Sequence, residues 1–443
     1  MSSRRNFIKK TALATAGLTV ANAAHASSAA SYRRILGAND RVNVCFMGLG
    51  RRVGAYYPSL AKKYNARLAY LCDVKQSQIT KALKNLKGHI DYIPDQTEDI
   101  RKVLDDKEVD AVFMATPDHW HAPGAIMAMN AGKHVYLEKP CAHNPREAEV
   151  MVATQKSTDK MVQMGNQQRS SGHTIEIMKE IHEGVIGDPY KAIAFYSNGR
   201  PRVPHMVKQA PPSDLNWDLF QGPAPRQEYF HDIWNYNWHW YGWNWGTAET
   251  GNNAIHELDL GRWALQVDYP EHVSVEASKQ HFKDDGWEMY DTMYATFRYA
   301  EGKEIHWDGK SRNAYRTYGA GRGTLIYGTK GSVFVNRTEY KLFDRSGKLV
   351  KQSAKSNESG LALGGGGDMS TTHVANFFEA IRGKETLRSP IADGSISNHL
   401  ALLANIAYRT GNAFDVDPSN GRAYDREAMN LWSRQYEPGW EIE

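Results

Sequence analysis

Cysteine is scarce in this sequence, and its scarcity excludes two kinds of site. Only Cys45, Cys72 and Cys141 occur, and all three stand in or beside apolar segments. An odd number so placed predicts small buried core residues rather than a disulfide framework or a metal-binding cluster. We therefore expect no metal centre.

The sequence also lacks net charge and long apolar runs. The formal net charge is +4, and four basic residues lie within the first 26, where no acidic residue occurs. The rest of the chain is thus formally neutral, which leaves no basic field for nucleic acid. The apolar run at residues 11–24 is too short to span a bilayer. We expect neither a nucleic-acid partner nor a stable membrane span.

The first 26 residues have the three parts of an export signal. SRRNFIKK supplies a basic start, TALATAGLTVANAA an apolar core, and Ala24-His25-Ala26 a small-residue cleavage site. The adjacent Arg4 and Arg5 favour the twin-arginine route. The sequence therefore predicts a twin-arginine signal peptide at 1–26, a polar linker at 27–40, and a periplasmic or otherwise exported protein.

The remaining pattern predicts two domains, as expected for 443 residues of ordinary globular composition. Strands alternating with helices over 41–165 predict a Rossmann-type, doubly wound parallel sheet that binds NAD. Its expected elements include a helix at 51–65 and a strand at 88–95. Over 166–443, apolar and polar residues alternate between short connections. This predicts an α+β domain with an open, largely antiparallel sheet and C-terminal helices, for substrate binding and oligomerisation.

The first predicted strand, VNVCFMGLG at 42–50, ends in a glycine pair. Gly48 and Gly50 permit a tight turn and a close approach to a pyrophosphate, which the N–H groups of the next helix can hold. Arg51 and Arg52 follow and face either that pyrophosphate or solvent. We predict that these four residues contact a dinucleotide.

Asp73 ends the second predicted strand at the interval that dinucleotide-binding motifs have. Its carboxylate can accept a hydrogen bond from a ribose 2′-hydroxyl and would repel a 2′-phosphate, which favours NAD over NADP. One departure is that Val53 takes the place of the third motif glycine, with Gly54 one residue later. Either the helix lies farther from the strand or the turn contains an extra residue.

The segment HVYLEKP at 134–140 reads as a buried strand that ends in Glu138 and Lys139. Together with the residues before it, MATPDHWHAPGAIMAMNAGKHVYLEKPCAHN, it resembles the signature region of the Gfo/Idh/MocA oxidoreductases. The resemblance covers nearly the whole mature chain. It implies that Lys139 binds substrate and relays protons near the nicotinamide. It also implies that several residues lie along the cofactor, namely Thr116, Pro117, His121, Glu138 and Lys139 itself.

A second candidate segment, GTAETGNNAIHELDLGRWALQV at 246–267, reads in its latter half as a helix. We predict His256 as general base, because an imidazole near its ordinary pKa can take a hydroxyl proton. Many sugar dehydrogenases of the family have an aspartate where this chain has Asn252, so we assign Asn252 to substrate binding. Asp259 either orients the imidazole or forms an interdomain ion pair.

Aromatic residues crowd the stretch FHDIWNYNWHWYGWNWG at 230–246, whose tryptophans are Trp234, Trp238, Trp240, Trp243 and Trp245. Neither a helical nor a strand period fits, which predicts an ordered loop near the site. Flat aromatic faces suit sugar rings, and we name Trp240 and Trp243 as substrate-binding candidates. The alternative is an aromatic plug or an oligomer interface. Arg169, at the end of the sixth predicted strand, is a further candidate for substrate contact.

These features predict an exported oxidoreductase that uses tightly bound NAD(H) to oxidise or reduce a hydroxyl or ketone of a sugar or glycoside. The resemblance further implies a homo-oligomer formed through the C-terminal sheet. One alternative is an NAD-dependent glycosidase, which oxidises the sugar transiently and eliminates the aglycone. The glycosidases of this fold lack the lysine of EKP, which favours dehydrogenase chemistry. A second alternative is a non-catalytic sugar-binding protein on the same fold.

Overall fold

A computed structural model describes residues 40–231, 233, 236–356 and 368–442, so the predicted signal peptide and all but the last linker residue lie outside the described residues. The first sheet has six parallel strands in the order β3-β2-β1-β4-β5-β6. The strands are β1 Val42–Met47, β2 Ala66–Cys72, β3 Asp95–Thr97, β4 Ala111–Met114, β5 His134–Leu137 and β6 Val162–Met164. This confirms the predicted doubly wound parallel sheet.

Four α-helices accompany the first sheet in the described part of the chain: α1 Gln76–Leu86, α2 Ile100–Asp105, α3 Asp118–Asn130 and α4 Pro145–Thr158. The strand order reverses between β1 and β4, whose last residues, Met47 and Met114, are paired in register. Ligands of open α/β sheets bind at such a switch point, outside the carboxyl ends of the strands. The topology therefore places a crevice next to Gly48.

Two predicted elements of this domain are wrong. Residues 51–65 form three short 3-10 turns instead of an α-helix. Pro58 lies within this segment and has no N–H to donate to an α-helical hydrogen bond, which favours short turns. The strand expected at 88–95 is displaced to Asp95–Thr97. Ile93, an apolar residue of the predicted strand, is exposed and precedes the observed strand, so it belongs to a connecting segment.

The second sheet has nine strands in the order β14-β13-β12-β11-β7-β10-β9-β8-β15. Neighbouring strands are antiparallel except β7 and β10, which are parallel. The sheet is therefore largely antiparallel, as predicted. The strands are β7 Pro189–Ser197, β8 His272–Ser278, β9 Thr292–Arg298, β10 Glu304–Lys310, β11 Arg322–Gly328, β12 Gly331–Val335, β13 Tyr340–Asp344, β14 Leu349–Gln352 and β15 Phe414–Asp415.

The remaining described helices pack around the second sheet and between the sheets: α5 Gly172–His182, α6 Trp217–Gln221, α7 Ile255–Leu265, α8 Asp368–Ile381, α9 Ile391–Thr410 and α10 Arg426–Asn430. Helix α7 lies directly on the sheet. A Cβ added at Gly261 would lie 3.2 Å from the Cβ of Ala192 in β7. A π-helix, Thr250–Ala254, precedes α7 without a break, and π-turns within helices are frequent at functional sites.

The three cysteines are buried and unpaired, as predicted. Burial raises the pKa of the Cys45 and Cys141 thiols well above its usual range, as expected for inert core thiols. Within the described ranges, no helix is long and apolar enough to cross a bilayer. The described residues also contain no group of three or more His, Cys, Asp or Glu side chains arranged to hold a metal ion.

Candidate active site

A cavity of about 750 Å³ lies at the carboxyl edge of the first sheet and extends to the second domain. This volume is in the range of cofactor and small-ligand sites. The cavity brings together all ten residues predicted to bind the cofactor and both predicted catalytic residues. They are Gly48, Gly50, Arg51, Arg52, Asp73, Thr116, Pro117, His121, Glu138, Lys139 and His256, Lys139 being in both groups.

The glycine turn after β1 requires a residue without a side chain at Gly48. Its φ is +82°, and a Cβ there would lie 2.7 Å from the carbonyl carbon and oxygen of Ala115. The backbone of β1 and the end of β4 can approach this closely only because Gly48 has no Cβ. Gly50, in contrast, has open space around its Cα. The turn thus leaves backbone accessible beside the crevice.

Asp73 is tied to this turn. Its Oδ2 accepts a hydrogen bond of 2.6 Å from the N–H of Leu49, and its Oδ1 accepts one of 2.8 Å from the N–H of Lys75. Burial raises the pKa of Asp73 to about 6, while these two N–H groups favour the ionised form. The carboxylate predominates at neutral pH and faces the cavity, where it suits a ribose hydroxyl.

The residues around this end of the cavity fit a dinucleotide. The turn has no Cβ at its closest approach, and a carboxylate stands at the end of β2. Farther along, the buried Thr116 Oγ1 and His121 Nε2 line the cavity and have no hydrogen-bond partner among the described residues. Polar groups buried without partners are costly unless a ligand or water satisfies them. These atoms can supply hydrogen bonds to a bound cofactor.

Glu138 is held by three donors rather than free to meet a ligand. Its Oε1 accepts hydrogen bonds from Arg52 Nε at 2.7 Å, Tyr56 OH at 3.0 Å and Gln167 Nε2 at 3.1 Å. Burial raises the pKa of Glu138, but the adjacent Arg52 outweighs it and keeps the pKa below its usual value. Arg52 therefore pairs with a carboxylate, and only Arg51, whose guanidinium lies 4.7 Å over the Tyr236 ring, is exposed at the turn.

Lys139 lines the cavity and contacts the π-helix of the second domain. Its Nζ donates a 2.5 Å hydrogen bond to the backbone oxygen of Asn252, in the π-helix. Burial lowers the pKa of Lys139 to about 8, although Asp118 and Glu138 favour the charged form. An amine with such a pKa exists in both forms near neutral pH, as an acid–base group requires.

Asp118, which the sequence analysis missed, is the acidic neighbour of Lys139. It begins α3, and its Oδ2 accepts hydrogen bonds from Thr247 N at 3.0 Å and Thr247 Oγ1 at 2.6 Å. Burial raises the pKa of Asp118 to about 7, while Thr247 and Lys139 oppose the shift. As the first residue of a helix it resembles an ordinary helix-start aspartate. Only its tertiary contact with Thr247 reveals its environment.

His256 lines the same cavity, one turn beyond Asn252. Burial and the nearby cations, first Arg337 and then Lys139, hold the pKa of His256 well below its usual value. Its Nδ1 is buried and has no partner in the described part of the chain. The imidazole is thus neutral at physiological pH. It is suited to hydrogen bonding, whereas Lys139 is the stronger base, which weakens the predicted role of His256 as general base.

Asn252 lies in the cavity wall, as its predicted role requires. Its Nδ2 donates to the hydroxyl of Tyr236 at 3.1 Å, and Tyr236 also lines the cavity. The π-helix at this point turns the Asn252 carbonyl toward Lys139. Asn252 therefore links the aromatic loop to Lys139.

Arg169 and Asp259 lie outside the cavity lining and pair with each other. Two hydrogen bonds of 2.8 Å join the guanidinium to the carboxylate, and Arg169 also pairs with Asp393 at 2.6 Å. Ser397 donates a further hydrogen bond to Asp259. The geometry therefore gives no support to the assignment of these two residues to substrate binding. The structure contains an ion pair at Asp259, as one of the two alternatives expected, but its partner Arg169 belongs to the same predicted domain, 166–443.

The two tryptophans chosen for sugar contact are also placed elsewhere. Trp240 is fully buried and stacks on Trp287, with ring centroids 3.9 Å apart. Trp243 lines a separate small cavity beside Arg409. Trp238 and His239 of the same loop line the main cavity instead, and Trp234 lies outside the described residues. Without a periodic pattern, the sequence offered no means to tell these rings apart.

Two family models match this chain. One, described as an oxidoreductase family with an NAD-binding Rossmann fold, matches residues 42–166. The other, described as the C-terminal alpha/beta domain of the oxidoreductase family, matches residues 173–346. Together they include the glycine turn, Asp73, Lys139, His256 and Arg337.

Solved structures of similar fold include a levoglucosan dehydrogenase in complex with NADH and L-sorbose, with a TM-score of 0.65 and 20% identity over 85% of this chain and 99% of that one. Another is the aldose-aldose oxidoreductase of Caulobacter crescentus complexed with glycerol, with a TM-score of 0.62 and 17% identity over 85% and 100% of the two chains. At these identities the likeness establishes the fold alone.

Among curated relatives, a glycosyl hydrolase family 109 protein of Shewanella baltica is 30% identical over 215 residues, which cover 44% of this chain and 45% of the relative. A family 109 protein of another Shewanella strain is 29% identical over 208 residues, with the same shares of both chains. The match thus spans about half the length of these relatives.

Proposed function

This chain belongs to the Gfo/Idh/MocA oxidoreductase family, and we propose that it oxidises or reduces a hydroxyl or ketone of a sugar or glycoside with bound NAD(H). The observation that carries the proposal is the position of Lys139. A lysine whose pKa burial lowers to about 8 shares one cavity with a glycine turn and a carboxylate suited to a dinucleotide. Solved proteins of the same fold have NADH and a sugar bound.

In the proposed reaction, the glycine turn and Asp73 would hold the dinucleotide, which would supply the hydride acceptor for the carbon that bears the substrate hydroxyl. Neutral Lys139 takes the hydroxyl proton at Nζ, and the nearby Asp118 stabilises the resulting ammonium. Neutral His256 holds the substrate oxygen by a hydrogen bond. In the reverse direction, the Lys139 ammonium returns the proton to a carbonyl oxygen.

We further propose that the cofactor is NAD rather than NADP and that it stays bound through turnover. Support for NAD comes from Asp73, whose carboxylate faces the cavity at the end of β2. Support for tight binding comes from the predicted twin-arginine signal, because that route would deliver a folded protein already carrying its cofactor. An exported location remains part of this proposal.

A second candidate function is an NAD-dependent glycosidase, favoured by the family 109 relatives. In this reaction, oxidation of a hydroxyl to a ketone acidifies the neighbouring C–H. A base removes that proton, the aglycone leaves, water adds to the resulting unsaturated ketone, and return of the hydride restores the hydroxyl. The two functions differ in products. Incubation with aryl glycosides would release free aglycone without a persistent ketone in the glycosidase, and a keto-sugar in the dehydrogenase.

The proposed function is tested first on the cofactor. Purified full-length protein is denatured, and any released dinucleotide is identified by mass. The protein is then supplied with NAD and a panel of aldoses and glycosides, and nicotinamide absorbance is followed. Release of NAD together with a sugar-dependent change in absorbance is the expected result. A protein that neither releases nor binds NAD would overturn the proposal and favour a sugar-binding role.

We also propose a homo-oligomer formed through the second sheet. Large side chains are exposed on its strands, among them Tyr294 on β9 at 50% and Val350 on β14 at 61% of full exposure. Exposed apolar groups on one sheet are typical of protein interfaces. Light scattering of the wild-type protein and of the Y294K variant tests this assignment. A monomeric wild-type protein would refute it.

A further inference from the structure

Arg337 is a half-buried arginine of the cavity wall, and it has no carboxylate partner among the described residues. It follows β12, on the turn to β13 that the 3.0 Å hydrogen bond from Asn336 N to Glu339 O closes. Its guanidinium lines the main cavity. Its Nε is buried without a hydrogen-bond partner, and within the described ranges no carboxylate lies within ion-pair distance of it.

The neighbouring arginines differ in this respect. Arg52 donates to Glu138 at 2.7 Å, and Arg322 donates to Glu257, also at 2.7 Å. Each of these two cations is neutralised by its own buried carboxylate. Glu257 is close enough to favour the charged form of Arg337, but its Oε1 is used by Arg322. Among the described residues, Arg337 is therefore a cation of the cavity that forms no ion pair.

The electrostatic environment makes this arrangement unfavourable in the absence of a ligand. Burial, followed by the charges of Arg322 and Arg52, lowers the pKa of Arg337 to about 9. A buried cation without a counter-ion is costly, and proteins normally pair such a group or leave it in water. An anion bound next to Arg337 would remove this cost.

The location of Arg337 indicates which ligand supplies that anion. Arg337 lines the same cavity as Lys139 and His256, and its charge lowers the pKa of both groups. The pyrophosphate suits the glycine turn, which leaves the substrate as the source of the charge opposite Arg337.

We propose that Arg337 binds a monoanionic group on the substrate, so that the enzyme acts on an acidic sugar such as a hexuronate. This inference deepens the proposed function and rests on it. One unneutralised guanidinium matches one negative charge, and the planar guanidinium forms paired hydrogen bonds with a carboxylate. A sulfate ester offers the same charge on a tetrahedral group, and the experiment distinguishes the two.

The experiment compares wild-type protein with the variants R337Q and R337K, and with R345Q as a control on an exposed turn arginine. Binding of D-glucuronate, D-galacturonate and glucose 6-sulfate is measured by calorimetry at saturating NAD, beside that of glucose and galactose. We expect at least one acidic sugar to bind wild-type protein ten or more times more tightly than its neutral counterpart. R337Q should abolish this preference, R337K should retain part of it, and R345Q should leave it unchanged.

A second measurement does not depend on choosing the correct sugar. Because R337Q removes an uncompensated charge, its thermal midpoint without ligand should exceed that of the wild type. At constant ionic strength, acetate should raise the midpoint of wild-type protein more than that of R337Q. If acetate raises the thermal midpoint more than sulfate does, the substrate carries a carboxylate, as a hexuronate does. If sulfate has the larger effect, the substrate is a sulfated sugar.

The failures of the two proposals are distinguishable. If NAD binds and neutral sugars are turned over as well as acidic ones, the proposed function stands and the role of Arg337 is overturned. The role of Arg337 is also overturned if R337Q weakens the binding of NAD instead of the acidic sugar. It is overturned as well if R337Q has the same thermal midpoint as the wild type and anions raise both midpoints equally. Absence of NAD binding in the wild type overturns the proposed function itself.

Discussion

Replacing Lys139 with methionine removes the proposed proton acceptor and keeps an unbranched side chain of similar length. Burial lowers the pKa of Lys139 to about 8. From that value, about one molecule in eleven has the neutral amine at pH 7 and about ten in eleven have it at pH 9. Sugar oxidation by the wild type should therefore accelerate about tenfold between these pH values and level off above them.

The K139M variant should lose this dependence together with most of its activity. A positioned acid–base group contributes about 10²- to 10⁴-fold to the rate, equivalent to about 3–5 kcal/mol of transition-state stabilisation. Single-turnover nicotinamide absorbance, recorded from pH 6 to 10 with a turned-over sugar, measures both effects. The control is K191M, which removes a lysine paired with Glu304 on the second sheet at 3.3 Å.

Two results would refute this reasoning. A K139M variant with the wild-type rate would show that Lys139 does not transfer the proton. A slow variant that keeps the inflection near pH 8 would assign that inflection to another group, with Asp118 the nearest candidate. Loss of activity in K191M as well would indicate a general effect of removing lysines rather than a role for Lys139.

Three further predictions concern the cofactor and the histidine. D73N should weaken NAD binding, because the ionised carboxylate accepts hydrogen bonds from the ribose. For the same reason, the affinity of the wild type for NAD, measured by calorimetry, should rise as the pH increases through about 6. An affinity independent of pH would contradict this. G48A should lower the thermal midpoint because of its positive φ and the 2.7 Å contact with Ala115, while G54A, which has open space, should not. H256Q should slow turnover about tenfold without moving the inflection near pH 8, since the imidazole is already neutral there; a moved inflection would restore the histidine as base.

The sequence predicted well what local patterns encode. Continuous apolar runs located β1, β2, β4, β5 and β6, because strands of a parallel sheet are covered on both faces. The glycine turn and Asp73 followed from backbone geometry at Gly48 and from the spacing of the motif. The EKP segment gave Lys139, since the carboxyl end of a strand faces the crevice.

The errors arose where tertiary contacts decide. A helical pattern at 51–65 ignored the missing N–H of Pro58. Arg169 sits beside the site in sequence, but Asp259 and Asp393 draw its guanidinium away from the cavity. Arg337, on a turn between two strands, resembled a solvated surface residue. Its role emerged only from the cavity it lines and from its lack of a partner within the described residues.

Lys139 and Arg337 line the same cavity and are electrostatically coupled, and their coupling gives a last prediction. Arg337 is one of the charges that lower the pKa of Lys139, after the larger effect of burial. Removing that charge in R337Q should raise the pKa of Lys139 and move the inflection of the rate profile above about 8, measured at saturating neutral sugar. R345Q changes an exposed arginine that is not among the cavity-lining residues, and it should leave the inflection in place. An unmoved inflection in R337Q would show that Arg337 and Lys139 do not interact. It would thereby contradict the placement of Arg337 near Lys139 in the cavity.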